Sequence, residues 1–327
     1  MNFLTGIYAI HAPASALNNG QGEEIKAVTK AIRVGGREYP YVSAQAVRYW
    51  LRETLLRQNP DWKAAPILRG KGKKQQAYSA GDPISYWDDD LFGYMRAEKK
   101  GDSDETGTVT RIAPFRTSTL VAAAPVEIVD DFGVMARMEG SPVLHEHEFY
   151  RATLVGGFSV DLGAVGTFTA LDRSGYRNLS KEGVKQAEAL QLEALPERAA
   201  YRLPYPERFK RLATLLRAFA RLEGGAKQTL HYTDVSPAFM CMAVLRGGNN
   251  PFLHLLTPNG TLNTAALTEA IQVYRGDYQS GIYVGLRQGF MDSAFEALNA
   301  FGFAPLHPRE AVEALIADMA AHPEWLQ

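Results

Sequence analysis

Two arginines one helical turn apart are the residues whose types and spacing first suggest a chemistry. Arg48 and Arg52 fall within residues 42–56, a run without Gly or Pro in which Ser43 takes the position of a helix N-cap. This spacing places two guanidinium groups side by side on one helix face. Such a pair could hold phosphates, although solvated arginines on an ordinary amphipathic helix would give the same pattern.

Two glycine-containing segments could bring bare backbone close to a polyanion. Residues 18–22, Asn-Asn-Gly-Gln-Gly, predict a flexible loop after a strand over 3–10. Residues 224–227, Gly-Gly-Ala-Lys, join two glycines that permit close approach with one cation. A helix C-cap followed by a surface lysine explains the second segment equally well.

The acidic and histidine clusters could have structural roles instead of forming a metal site. Asp88, Asp89 and Asp90 could hold Mg²⁺ and support RNA cleavage, but consecutive side chains cannot all point one way. A helix cap or solvated turn is therefore favoured. His145 and His147 would share one side of a strand and could bind zinc, yet no third ligand is evident. We expect no metal, no cofactor and no catalytic residue.

The basic run at residues 70–73, Gly-Lys-Gly-Lys, lacks the spacing of a P-loop. No strand leads into a helix there, so a mobile basic loop is the favoured interpretation. Such a loop could still touch phosphate.

The bulk composition excludes some classes of function. Among 327 residues, Lys and Arg number 35 and Asp and Glu 36, so a nucleic-acid site must be a local groove. Cys241, the single cysteine, lies in an apolar run and can form no disulfide within the chain. No signal peptide and no apolar run near the ~20 residues of a membrane span are evident, so we expect a cytoplasmic protein that contacts no membrane.

The order of predicted elements indicates an α+β fold. A central strand over 3–10 is followed by a helix over 44–57, and a helix over 206–222 precedes a buried strand over 237–245. The remaining predictions are a hairpin between 132–138 and 143–150, a second hairpin turning at Gly156-Gly157, and helices over 263–274, 291–301 and 308–321. Without insertions, the order strand, helix, strand, strand, helix, strand is the split βαβ arrangement. The sheet face away from its two helices could bind a ligand or be covered by insertions.

Several short blocks together resemble a known family. They follow the family's order over most of the chain, at 15–20, 42–48, 90–95, 116–118, 157–162 and 224–227. The sequence is similar to the backbone subunit of type I CRISPR surveillance complexes (Cascade), in the DevR-like, type I-B branch.

The resemblance implies an RRM- or ferredoxin-like palm, a modified βαββαβ unit, with a right-hand shape. The palm would comprise residues 1–57 and 149–250, and a fingers insertion would comprise 58–125. A β-hairpin thumb would occupy 126–148, and a mostly helical extension 251–327.

The resemblance also implies a non-catalytic, RNA-binding scaffold for antiviral defence. Copies would stack head to tail along a guide crRNA, grip its sugar-phosphate backbone and present it for pairing with target DNA, together with other Cascade subunits. The implied RNA contacts are Asn19, Gly20, Ser43, Gln45, Arg48, Arg52, Arg116, Ser118, Gly224, Gly225 and Lys227. The thumb candidates for wedging against bases are Phe132, Val134, Met135 and Met138.

Two other functions stay open. Related backbone subunits of type III complexes cut target RNA with an acidic loop residue and a metal, for which Asp88–Asp90 or Glu23 and Glu24 are candidates. Asn18, Asn19 and Gln21 near the predicted groove neither ionise nor hold Mg²⁺ well, which favours the scaffold. A ferredoxin-like small-molecule sensor is the third alternative.

Overall fold

The computed structural model describes residues 1–21, 26–69, 77–96, 108–135, 141, 143–171, 173 and 176–327. The strands are β1 (Asn2–Ser15), β2 (Asn19–Gln21), β3 (Ala27–Thr29), β4 (Ala31–Val34), β5 (Arg37–Val42), β6 (Ile67–Arg69), β7 (Ala77–Ser79), β8 (Tyr94–Arg96), β9 (Val109–Arg111), β10 (Phe115–Thr117), β11 (Leu120–Ala122), β12 (Val129–Met135), β13 (Val143–Asp161), β14 (Thr167–Thr169), β15 (Glu193–Leu195), β16 (Ala200–Arg202), β17 (Phe239–Arg246) and β18 (Tyr283–Leu286). The helices are α1 (Ala44–Gln58), α2 (Trp87–Phe92), α3 (Lys181–Ala189), α4 (Tyr205–Phe219), α5 (Gln228–His231), α6 (Thr264–Val273), α7 (Asp292–Ala300) and α8 (Pro308–Ala321). Short 3-10 turns occupy Pro196–Arg198 and Pro323–Leu326.

The strand β1 lies at the centre of the main sheet, as its apolar residues on both faces predicted. It pairs antiparallel with β17 on one side, with Phe3 opposite Leu245, and with β13 on the other, with Phe3 opposite Asp161. The sheet runs β18-β17-β1-β13-β11-β5-β4, and β10 also pairs with β13. A strand with neighbours on both edges satisfies its backbone hydrogen bonds without water, which suits an apolar sequence.

The two faces of this sheet have different coverings because successive side chains of a strand point to opposite faces. Leu4, Tyr8 and Ile10 of β1 share a core with α1, α4 and α8. Ile7 and Ala9, on the other face, share a second core with residues of α6 and α7. The C-terminal helices therefore cover this face at Ile7 and Ala9, the face that the sequence left open either for a ligand or for insertions.

The predicted hairpin turn at Gly156-Gly157 is wrong. β13 continues through both glycines to Asp161 and stays paired with β1 along the way. A side chain at either position would crowd a neighbour: a Cβ on Gly157 would lie 2.5 Å from Leu253, and one on Gly156 would lie 3.0 Å from Leu120. These glycines allow close packing on the sheet faces instead of a reversal of the chain.

The other predicted hairpin is present, because β12 pairs antiparallel with β13 from Val129 opposite Phe149 to Met135 opposite Val143. Lys26 attaches this hairpin to the preceding chain. Its Nζ lies 2.7 Å from Asp130, 3.0 Å from Glu146 and 3.2 Å from Glu148. The hydrogen bonds to Asp130 and Glu146 raise the pKa of Lys26. One cation thus offsets three carboxylates at the base of the hairpin.

The helices over 44–57, 206–222 and 308–321 are confirmed as α1, α4 and α8, but two local predictions need correction. Asn19–Gln21 forms the short strand β2, paired with β3, where the sequence predicted a loop. The helix α4 ends at Phe219, with Ala220 as its C-cap, so Gly224 and Gly225 are not its terminus. Gly224 and Gly225 instead allow close packing against Trp50 and Leu17.

Among the described residues, no helix is both long and apolar enough to cross a lipid bilayer.

Candidate nucleic-acid interface

The start of α1 has the predicted cap. Ser43 is extended, and its hydroxyl accepts a hydrogen bond of 3.3 Å from the backbone amide of Ala46. Val47 and Trp50 are buried against the main sheet, whereas Gln45 is exposed. Ser43 is therefore committed to the helix, and Gln45 is free to face a ligand.

The arginine pair of α1 contacts α2. The Nε of Arg52 donates to Asp88 over 2.7 Å, and its guanidinium lies 4.3 Å from the ring centre of Phe92. Arg48 donates to the backbone carbonyl of Phe92. Burial lowers the pKa of Arg48, and the charge of Arg52 lowers it further, whereas Asp88 opposes both. The two cations lie side by side as predicted, and each donates a hydrogen bond to α2.

The acidic run that α2 contains is not a solvated turn, and this prediction is corrected. Asp88, Asp89 and Asp90 lie in the first turn of α2, as predicted for a helix start, but all three are buried. Asp89 accepts a hydrogen bond of 2.9 Å from the backbone amide of Asp82, and burial raises its pKa. Asp90 lies between two buried arginines: it pairs with Arg111, and Arg211 Nη1 is 2.8 Å from its Oδ2. These carboxylates fix α2 to the rest of the chain.

The glycine segment 224–227 lies between α1 and the end of β1. A Cβ on Gly224 would be 2.4 Å from Trp50, and one on Gly225 would be 2.6 Å from Leu17. Their φ angles of +149° and +99° also favour glycine. The amide of Ala226 donates to Leu17 over 3.0 Å, and Lys227 adopts a left-handed φ of +55°. The backbone is thus held close to α1, with Lys227 at its end.

Asn19 and Gly20 follow Leu17, which contacts the 224–227 segment. They lie in β2, two residues beyond Leu17, and are half-buried. The Oδ1 atom of Asn19 is buried without a hydrogen-bond partner within the part of the chain that the structure describes. A buried acceptor without a donor is costly, so this oxygen would gain stability from any donor that reached it.

Arg116 and Ser118 do not join this group. Phe115 points into the core beside α1, and the alternation of β10 therefore turns Arg116 to the other sheet face, where its guanidinium lies 5.9 Å from the ring centre of Phe3. The hydroxyl of Ser118 accepts from the amide of Gly157 over 2.9 Å. The 224–227 segment contacts Trp50 of α1 and Leu17 before β2, whereas Arg48 and Arg52 contact α2 and Arg116 lies on the opposite sheet face.

The hairpin of β12 and β13 exposes apolar side chains. Phe132 is 69% exposed and Val134 55%, and Leu144 on the paired strand is 60% exposed. The side chain of Met135, and Met138 entirely, lie outside the described residues, as do 70–73, Glu23 and Glu24. An exposed apolar group at this level is suited to a partner surface.

The two histidines of the hairpin share one side of β13, as predicted. The ring centres of His145 and His147 are 6.4 Å apart and nearly parallel. His231 approaches from α5, with its ring centre 5.4 Å from that of His147. Across the described ranges, no group of three His, Cys, Asp or Glu side chains is arranged to hold a metal ion. The cluster instead packs the hairpin against α5.

Comparison of the whole chain with solved structures reveals likenesses of fold. A chain described as "CRISPR RNA-guided surveillance complex, pre-nicking" superposes with a TM-score of 0.57 at 12% identity, covering 97% of this chain and 99% of that chain. The chain shares the fold of a CRISPR surveillance-complex chain. A second, from a "CRISPR RNA-guided surveillance complex", gives a TM-score of 0.52 at 15% identity with the same coverage. No family model and no curated protein sequence matches.

Two features of this region were not predicted from the sequence. It did not indicate that Phe92 and Asp88 would be the contacts of Arg48 and Arg52, although an acidic helix start is a usual partner for a basic helix face. Nor did it indicate Tyr232, which is 91% exposed beside His231 in a left-handed conformation. A left-handed φ in a tyrosine leaves no signature in a single sequence.

Proposed function

We propose that this protein is a non-catalytic, RNA-binding scaffold of a CRISPR surveillance complex. Copies of it would line a guide crRNA, hold the sugar-phosphate backbone and present the bases for pairing with target DNA. The proposal includes other subunits of the complex as partners and places the chain in the type I-B, DevR-like branch of Cascade backbone subunits.

The observation that carries the proposal is the likeness of fold over whole chains. Nearly all of this chain and of the neighbouring chains superpose, so the hairpin and the C-terminal helices are included in the match. The order β17-β1-β13-β11, with α1 and α4 on one face, also fits the split βαβ order of an RRM-like palm. We assign the palm to this sheet and the thumb to the β12–β13 hairpin.

The most direct RNA contacts on this view come from α1, β2 and the 224–227 segment. Lys227 supplies a cation, Gln45 an exposed amide, and Asn19 a buried acceptor without a partner. Arg48 and Arg52, which contact α2, would add positive charge from α1. A few contacts per copy suffice because neighbouring copies on one RNA strand act together.

The test is co-expression of the chain with a CRISPR array, followed by purification and analysis of size and bound RNA. We expect RNA-bound oligomers from the wild type. Lys227→Glu combined with Gln45→Glu should release RNA while the monomer stays folded. The matched control is Arg275→Glu combined with Gln272→Glu, a pair exposed on α6 and just after it, beneath the opposite sheet face. RNA-free wild-type monomers, or equal RNA loss from both double variants, would contradict the proposal.

The ribonuclease alternative is weakened by the contacts of the acidic run. Asp88 and Asp90 are paired with arginines, and Asp89 accepts from a backbone amide, so Mg²⁺ would have to displace them. Incubating the purified particle with Mg²⁺ and target RNA separates the two functions. Intact RNA is expected, and cuts at regular spacing would favour the nuclease.

A further inference from the structure

A cavity of about 480 Å³ opens on the sheet face away from α1, at the end of β13 opposite the hairpin. Its walls come from the start of β1, from 111–116, from 161–169, from 176–178, from 198–200 and from Gln327. The volume falls within the range of small-molecule sites, about 300–1,000 Å³. Phe3, Ile112 and Pro114 supply apolar wall, and Ile112 is 56% exposed.

Most polar groups in the wall are already satisfied. Arg111 donates to Asp90, Thr167, Ala164 and Asn178, and the side-chain amide of Asn178 accepts two hydrogen bonds and donates one. These groups give the cavity a rigid base and have little capacity left for a ligand.

Three charged groups in the wall keep free capacity. Arg116 and Arg198 make no hydrogen bond or ion pair with any residue that the structure describes, apart from the stacking of Arg116 on Phe3. Asp161 accepts from the amide of Ala164 through Oδ1 only, over 3.1 Å. The site therefore offers two guanidinium forks, one carboxylate oxygen and an apolar wall.

We infer that this cavity is a nucleotide-binding site. A nucleotide combines a flat base with apolar faces, hydroxyl donors on ribose and an anionic phosphate. The base would lie against Ile112 and Pro114, a ribose hydroxyl would donate to Asp161, and the phosphate would accept from Arg116 and Arg198. The ligand is either a free nucleotide or one nucleotide of an RNA strand, and only the second source rests on the proposed function.

The probe is 2-aminopurine riboside 5′-monophosphate, whose fluorescence changes when its base stacks in a protein site. We expect a saturable signal with the purified chain, and roughly tenfold weaker binding in Arg198→Ala because a charge-assisted contact to phosphate is lost. Arg221→Ala is the matched control, since Arg221 is exposed and lines a different cleft. Asp161→Asn should reduce the preference for the ribonucleotide over its 2′-deoxy form.

A second arm uses a single-stranded RNA with one internal 2-aminopurine. If the mononucleotide gives a signal and added RNA does not displace it, the ligand is a free nucleotide. If only the RNA gives a signal, and Arg198→Ala weakens it, the ligand is the RNA strand. Absence of signal in both arms, or equal effects of Arg198→Ala and Arg221→Ala, would overturn the inference. RNA-bound oligomers that give no 2-aminopurine signal would overturn the nucleotide-site inference while leaving the proposed scaffold function intact.

Discussion

The Nε of Arg52 lies 2.7 Å from Oδ1 of Asp88, and this ion pair joins α1 to α2. The guanidinium also lies over the ring of Phe92, at the end of α2. An arginine that the family resemblance assigns to RNA therefore has an intramolecular role. The two roles can be separated by experiment.

We expect Arg52→Ala and Asp88→Ala to be coupled by about 1–2 kcal/mol in a double-mutant cycle, because the pair is only partly exposed. Urea unfolding of the two single variants and the double variant measures this coupling. If Arg52 also contacts phosphate, Asp88→Ala will retain guide RNA, whereas Arg52→Ala will bind it more weakly. Equal RNA loss in the two single variants would argue against a phosphate contact.

Asp90→Ala should strongly destabilise the protein. It would leave the guanidinium groups of Arg111 and Arg211 buried without their shared carboxylate, at a cost of about 3–5 kcal/mol. The measurement is the free energy of unfolding in urea. Asp61→Ala is the control, because its ion pair with Lys210 is exposed and should leave the unfolding midpoint unchanged. Similar midpoints for the two variants would refute a stabilising role for the Asp90 cluster.

Gly224→Ala should destabilise the fold by about 1–3 kcal/mol and loosen the 224–227 segment. The new Cβ would lie 2.4 Å from the indole of Trp50, in a backbone conformation that alanine rarely adopts. Gly276→Ala is the control, since a Cβ there meets nothing within 4 Å. Thermal unfolding of both variants tests this, and an unchanged Gly224→Ala transition would contradict the packing argument.

Val134→Ser should leave the monomer's unfolding transition unchanged, because Val134 is 55% exposed and little buried area is lost. If the hairpin contacts a neighbouring copy or a duplex, the same change will reduce oligomers on guide RNA. Size-exclusion chromatography of the co-expressed particle gives the readout. Val273→Ser, at a residue 70% exposed on α6, should assemble normally. Normal assembly of both variants would remove this hairpin side chain from the interface.

Stability should fall as the pH drops below about 6.5, in part through His231. Burial lowers the pKa of His231, and His147 and Lys227 lower it further, against the opposing charge of Asp131. Below its ordinary value of 6.5, the unfolded chain binds a proton that the folded chain resists, so unfolding becomes easier. The loss of stability between about pH 7.5 and pH 5.5, from urea midpoints, should be smaller in His231→Gln. An unchanged difference would argue against this role of His231; burial also lowers the pKa values of His11 and His307.

The periodic pattern of apolar residues was enough to predict α1 and β1 from the sequence. The apolar stripe of α1, with Val47, Trp50 and Leu51, faces the core as its period predicted, and Ser43 caps the helix. The two-sided apolar pattern of β1 correctly indicated a central strand. These predictions hold because a helix or strand turns its residues to fixed directions, whatever lies beyond it.

Contacts between distant segments decided the rest. Gly156 and Gly157 have the composition of a turn, yet pairing with β1 and packing against Leu120 and Leu253 keep the chain extended. Asp90 has the composition of a solvated helix start, yet Arg111 and Arg211 arrive from residues 21 and 121 positions away and bury it. Arg116 lies outside the predicted interface because successive side chains of β10 point to opposite sheet faces. The sequence by itself determined the directions of side chains within each element; only the tertiary structure determined which partners met them, since those partners come from remote parts of the chain.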